Sequence, residues 1–350
     1  MLRIVHRNEK DRWDEIVKSY NNWDIYYLCD YADSFRLHGD GEPLLIDFFD
    51  QRGRFCYVVM KRDIADDSKF EGCLESGKFF DFESPYGYGG PLCDEPISVE
   101  AQNKFLKEIK DYAIEHGVVS QFVRFHPLLM NHEILPLVFE TRYLHQTIFI
   151  DTESPELIMF NMDSKNRNMV RKAEKNGVTI VRKPIDEYCD FIPIYEETMQ
   201  KDNAGDYYYF EEEYFKKQID LKDNACIFYA IKDDFPIAAA IMYYNNQYMH
   251  YHLAGTHTEY RKFSPGNLLL YKAACWASEM GIKKFHLGGG IVEDDSLFSF
   301  KKQFNKNGRL SFYIGKTVFD VDQYNYLKDV RKKINSKFDE NNGRMIQYRF

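Results

Sequence analysis

Apolar and polar positions alternate with period two in two stretches of the chain and recur near every 3.6 residues in the segments between them. In the first stretch, EPLLIDFF and RFCYVVMKRDI flank a turn at residues 50–54 and predict a hairpin; a helix is expected over residues 10–20 before it. GKFFDFESPYGYGGPL starts like a strand and breaks into a turn of two Pro and three Gly. Ser98 should cap a helix with an apolar stripe of Phe105, Ile109, Tyr112 and Ala113 that stops at Gly117, and VSQFVRFHPL and YLHQTIFID then read as strands. Past Ser154-Pro155, helices are expected through Lys175, a strand at VTIVRK, and helical stretches over 185–199 and 211–221. ACIFYAIKD, FPIAAAIMYYNN and QYMHYHLAG predict three successive antiparallel strands. A largely buried helix follows over 265–280, with Ser264 as cap, Pro265 in its first turn and Gly281 as terminator; KKFHLG is then a strand, SLFSFKKQFN a short helix and LSFYIGKTVF a last strand.

Both halves run from helices to a meander of antiparallel strands, a helix and more strands. That order implies a mixed α/β (α+β) protein built from a duplicated unit, and 350 residues suit two medium domains. Net charge sharpens the picture by exclusion. At −9, with a pI near 5.6, the chain has no global footprint for nucleic acid, and no DNA partner is expected. The local exception is SKNRNMVRKAEK, where Lys165, Arg167, Arg171, Lys172 and Lys175 face one acid, Glu174; it reads as a solvated helix face or as a phosphate contact. Seven cysteines without CxxC spacing argue against a disulfide framework or zinc module and for a reducing compartment. With a charged start and no long apolar run, a cytoplasmic protein is expected, touching a membrane at most peripherally.

Four stretches could carry chemistry. The Ser264-Pro265-Gly266-Asn267 turn opens a helix whose first N–H groups attract a phosphate or carboxylate, and Arg261 and Lys262 add positive charge beside it. The same stretch also serves as a plain strand-to-helix connection with a good cap. On a strand, His250 and His252 share a face, and His286 could join them; the trio offers a zinc site for a metal hydrolase, acid/base contacts, or hydrogen-bonded structure, and no metal is the expectation. In SLFSFKKQF, helical spacing groups Leu297, Phe300 and Phe304 in one stripe with Lys301 beside it, so Lys301 is held in apolar surroundings while Lys302 is solvated. A cation held there could stabilise an oxyanion or a phosphate, or simply snorkel at the core edge. In FESPYGYGGP, Tyr86 and Tyr88 offer flat polar walls, and Asp81 and Glu83 offer carboxylates for an amine's proton; a rigid loop without ligand is the equal alternative.

Taken in order from Phe82 to Phe304, the FESPYGYGGP turn, SKNRNMVRKAEKNGVTI, the basic SPG turn, FHLGGG and SLFSFKKQF resemble the FemA/FemB/FemX family of peptidoglycan-bridge aminoacyltransferases and its GNAT-like relatives. The resemblance implies two tandem GNAT-like domains, each a mostly antiparallel mixed sheet flanked by helices: residues 1–150 completed by 318–350, and 151–317. It implies an active-site role for the lysine of the Phe-Lys pair on the last short helix, here Lys301 after Phe300. It also departs from the family, because no charged heptad insertion supplies the coiled-coil arm of some members.

The expected activity is therefore N-acyl transfer to an amine, from an aminoacyl-tRNA or an acyl-CoA and with no tightly bound cofactor. The acceptor expected is a peptidoglycan precursor or another cell-envelope substrate such as an amino sugar. Lys301, with His252 and Tyr86, is assigned to catalysis; Arg261, Lys262, Ser264, Gly266 and Asn267 to the donor phosphate; Glu83, Tyr88, Arg167, Arg171 and His250 to substrate contact. A metal hydrolase on the three histidines and a non-catalytic precursor-binding protein are the other classes considered.

Overall fold

The computed structural model describes all residues except 71, 291, 293 and 294. The chain forms two compact units, residues 1–144 with 312–350 and residues 145–311. Among the described residues, no helix is long and apolar enough to cross a membrane.

The first unit opens with β1 (Leu2–His6), α1 (Lys10–Lys18) and α2 (Cys29–Leu37), then β2 (Glu42–Asp50), β3 (Gly53–Asp63), β4 (Phe80–Glu83), α3 (Val99–Glu115) and β5 (Val118–Arg124). From β6 (Glu140–Asp151) the chain enters the second unit: α4 (Pro155–Asn161), α5 (Ser164–Lys175), β7 (Thr179–Pro184), α6 (Phe191–Lys201), α7 (Glu212–Gln218), β8 (Ala225–Lys232), β9 (Phe235–Tyr244), β10 (Tyr248–Thr256), α8 (Pro265–Glu279), β11 (Lys284–Gly288) and α9 (Ser296–Lys302). Strand β12 (Arg309–Val318) then leads back to the first unit, which α10 (Val321–Ile334) completes.

Each unit has the same sheet plan. In the first the strand order is β1-β2-β3-β4-β5-β12, with every pair antiparallel except β4 and β5. In the second it is β7-β8-β9-β10-β11-β6, with every pair antiparallel except β10 and β11. A parallel pair needs a crossover, and a helix supplies it in both places: α3 between β4 and β5, α8 between β10 and β11. The apolar stripe expected on α3 packs as Phe105, Ile109 and Ala113, with Phe105 set edge-on to Phe55 at 4.8 Å between ring centres. The core of the second unit gathers Leu268, Leu269, Ala273 and Ala277 of α8 against Ile148, Phe228, Ala240 and Phe285.

The meander expected in the second unit is present as β8, β9 and β10. Two expectations shift. The helix expected over 185–199 begins only at Phe191, because Pro193 has no N–H and is tolerated in a first turn but not in a helix interior. Helix α2 had no signal in the apolar pattern: Cys29 through Phe35 are all buried, Asp30, Asp33 and Ser34 included, so no polar face marks it.

Candidate active site

The chemistry gathers where β10 and β11 part. Their parallel register covers Tyr248↔Lys284, Met249↔Phe285 and His250↔His286 and then ends, while β10 continues alongside β9 to Thr256. The divergence coincides with a bulge. Tyr251 pairs with Met242 and Ala254 with Ala240, so His252 and Leu253 together oppose Ile241, and an extra residue of this kind bends a strand and increases its twist. Beyond His250 the β11 side of β10 is therefore released from the ladder.

Lys301 stands at the head of that notch. Asp295 caps α9, its Oδ1 accepting from the Phe298 N–H at 2.7 Å, and this fixes the helix that carries the lysine. Lys301 is only 7% exposed; its Nζ donates to the Gly289 carbonyl at 2.7 Å and lies 5.8 Å from the ring centre of Tyr251, the first β10 residue past the last pair. Burial pulls the ammonium down from 10.5 to about 8, against the smaller opposing pull of Asp295. Gly289 itself is packed too closely for a side chain: a Cβ there would stand 2.7 Å from His145 Cε1 and 2.8 Å from the Gln146 carbonyl. The expected stripe on α9 is rotated by one residue. Phe298, not Leu297, turns inward with Lys301 and Phe304, and Leu297 is 40% exposed. Asp295 starts the helix one turn before Phe298, and that cap sets the rotation.

The histidines divide. His250 and His286 are register partners, both buried, with ring centres 5.8 Å apart, and His286 Nε2 meets Thr147 Oγ1 at 2.9 Å. His252 lies with other company: its Nε2 is 2.7 Å from Tyr214 Oη and its ring sits 4.4 Å from that of Tyr243. Enclosure by these rings lowers its pKa to about 3, with His250 adding to the effect. It is a neutral hydrogen-bonding group at physiological pH and a weak general base there. Among the described residues, no group of possible metal ligands brings His250, His252 and His286 together.

At the α8 end of the notch, Ser264 is not the expected cap. It adopts left-handed backbone (φ 58°, ψ 44°), makes no side-chain cap bond, and its Oγ instead donates to Met169 Sδ at 3.4 Å. The reason is the segment before it: residues 258–263 form a 3-10 turn, not a strand end, and deliver Ser264 from the wrong direction. The Asn267 N–H donates to the Ser264 carbonyl at 3.2 Å, and no serine hydroxyl caps the first turn of α8. Gly266 sits there with open space around the position a Cβ would take. Arg261 and Lys262 are exposed on the 3-10 turn and, among the described residues, have no carboxylate partner. A residue that sequence reasoning missed completes the corner. Asn166 of α5 is fully buried, its Oδ1 accepts from Asn267 Nδ2 at 2.7 Å, and among the described residues its own Nδ2 has no partner. The signal was available: Asn166, Val170 and Ala173 share the buried face of α5 at helical spacing, so a polar group interrupts an apolar stripe.

The remaining candidates are placed as follows. Arg167 is half-buried and its guanidinium closes the end of α4 on the Met162 and Met159 carbonyls, a structural duty, whereas Arg171 is exposed with only a 3.5 Å contact to Asn168. In the first unit, Glu83 pairs with Arg62. Burial would raise the Asp81 carboxyl, but Arg62 and Arg349 overturn that and hold it at about 2. Both carboxylates are thus engaged by arginine, and Asp81 is a poor acceptor for an amine's proton. Tyr86 stacks on Phe35 at 5.6 Å and its carbonyl accepts from Tyr31 Oη at 2.6 Å; Tyr88 is buried edge-on to Tyr26 and Phe312.

Residues 163–301, which span the bulge, the parted pair and the start of α8, match the acetyltransferase (GNAT) domain family. The second unit carries a GNAT acyltransferase domain. No curated protein matches the chain in sequence. In structure the chain is similar to FemX, at 15% identity over 93% of this chain and 99% of that one, with a TM-score of 0.67. It is similar also to the C-terminal domain of a putative lysylphosphatidylglycerol synthetase from Agrobacterium fabrum (14%, 94% and 95%, 0.57) and to L-PGS from Bacillus licheniformis (13%, 88% and 91%, 0.54). At these identities the likeness establishes the fold around the GNAT domain, and that domain makes the chain an acyltransferase.

Proposed function

We propose that the GNAT domain transfers an acyl group from a coenzyme A thioester to the amine of a cell-envelope precursor, an amino sugar or a peptidoglycan precursor. The observation that carries this reading is the position of Lys301 at the point where β10 and β11 separate. The released edge of β10 suits the extended arm of the donor, and the uncapped start of α8, with Arg261, Lys262, Gly266, Asn267 and the Asn166 amide, suits its phosphates.

The chemistry follows from the charge each step develops. A neutral amine nitrogen attacks the acyl carbon, a C–N bond forms, and negative charge gathers on the carbonyl oxygen, which the Lys301 ammonium stabilises. As the C–S bond breaks, Lys301 gives a proton to the leaving thiolate, and the proton shed by the attacking nitrogen restores it. A pKa near 8 suits both halves of that exchange. His252 and Tyr214 border the strand at its bulge and serve to orient the acceptor.

A second reading, an aminoacyl group delivered by charged tRNA, draws support from the likeness to FemX over 93% of the chain. Thermal shift separates the two, since a ligand raises the melting temperature by mass action. Acetyl-CoA should raise it saturably and Asn166→Leu should diminish that rise; stabilisation by charged tRNA with none by coenzyme A would sink the thioester reading.

A further inference from the structure

The first unit holds a cavity of about 410 Å³ that the proposed transfer does not use, lined by Ile4, Leu44, Phe80, Tyr112, Lys61 and His116, with His6 and Glu42 at its rim. Its floor is the edge of a core: Ile4, Phe80 and Tyr112 pack on the buried cluster of this unit yet remain partly exposed. Its polar groups include the basic side chains of Lys61, His6 and His116. Lys61 is half-buried with Nζ 3.9 Å from the Phe80 ring centre, and among the described residues no carboxylate lies within ion-pair distance of it. Glu42 stands opposite Lys61 in the β2/β3 register, but its Oε1 accepts from Arg7 Nε at 2.9 Å. His116 stacks on Tyr112 at 4.0 Å, and its Nδ1 meets the Tyr112 carbonyl at 2.8 Å, which leaves the Nε2 edge for other partners.

A partly desolvated ammonium without a counter-ion is costly, and burial does depress the Lys61 pKa, with Asp63 opposing. An anion that brings its own apolar body would relieve that cost and cover the floor in one step. Polar anions such as free phosphate would leave the floor wet. We infer that this cavity is a binding site for a small carboxylate with a flat apolar body, its carboxylate on Lys61 and on Nε2 of His116 in its protonated form, and its body against Phe80, Leu44 and Ile4. The cavity falls within the range of small-molecule sites.

Titration calorimetry of the whole chain with 2-naphthoate, and with 2-naphthamide as its uncharged counterpart, tests the inference. Saturable binding of the naphthoate is expected, about tenfold or more tighter than the amide, and weakened by about the same factor in Lys61→Met and less in His116→Gln. His116 is exposed, so its variant remains informative even if Lys61→Met unfolds. Absence of saturable binding, equal affinity for acid and amide, or unchanged affinity in a folded Lys61→Met overturns the assignment.

Discussion

The two crossovers, β4-α3-β5 and β10-α8-β11, share an order and differ in how they finish. In the first the strands stay zipped after their last register pair, Glu83↔Phe122: the Ser84 N–H donates to the Phe122 carbonyl at 3.0 Å, Ser84 Oγ accepts from the Arg124 N–H at 3.0 Å, and Gly89 then bonds with Arg124 and His126. Arg124 Nε closes further on the Gly87 carbonyl. In the second, three register pairs are followed by a bulge and separation. The same fold thus makes a sealed crossover where hydrogen bonds continue across the pair and an open one where they stop, and Lys301 stands buried beside the open one.

If the open crossover is the reactive one, the largest effect belongs to its cation. Lys301→Ala should lower kcat by about 10²- to 10³-fold, the usual cost of removing a preorganised charge from developing oxyanion, with the fold unaltered by circular dichroism. Wild-type transfer should fall as pH rises through about 8, because the ammonium is lost there, and Lys301→Arg should move that limb upward. An unchanged limb would detach the lysine from the chemistry.

Stability provides the next contrast. The folded state disfavours the Lys301 ammonium: its folded pKa, about 8, lies below 10.5, so the penalty is absent above the latter value and fully felt once pH falls below the former. Lys301→Met should therefore stabilise the protein at pH 7, by at most about 3 kcal/mol, and the gain should vanish towards pH 10.5. Denaturant melts at the two pH values measure it. An enzyme that gains stability on losing its activity would mark Lys301 as retained for function.

Two glycines of the second unit should then part company. Gly289→Ala drives a methyl into His145 and the Gln146 carbonyl and should cost about 1–3 kcal/mol together with activity. Gly266→Ala meets nothing of the protein, so stability should hold or rise slightly while the coenzyme A dissociation constant increases about tenfold. Calorimetry of both variants decides; an unweakened donor at Gly266→Ala would remove the phosphate from the α8 turn.

How much of this was legible follows from the range of the interactions. Alternation and turns revealed β8, β9 and β10 because period two and an Asp-Asp or Asn-Asn turn are local signals. The burial of Lys301 was legible from helical spacing, though Leu297 and Phe298 exchanged roles when Asp295 set the start of α9. The parting of β10 from β11 was not legible, since a bulge depends on a neighbour far along the chain. Nor were the engagements of Asp81 and Glu83, whose arginine partners come from β3 and from Arg349 at the end of the sequence. Serine before a helix is a cap by preference only; Ser98 fulfils it and Ser264 does not.

That last pair gives the smallest and most local contrast. Ser98 Oγ accepts from the Ala101 N–H at 3.2 Å with extended backbone, so Ser98→Ala should lose about 1 kcal/mol in a denaturant melt. Ser264 makes no such bond and lies in the left-handed region, where alanine is about as strained as serine, so Ser264→Ala should change stability by less than about 0.5 kcal/mol. Ser264→Gly should relieve that strain and stabilise by about 0.5–1 kcal/mol. Should Ser264→Ala instead cost as much as Ser98→Ala, the start of α8 is closed by its own serine in solution. The opening that distinguishes the second crossover from the first would then be confined to the strands.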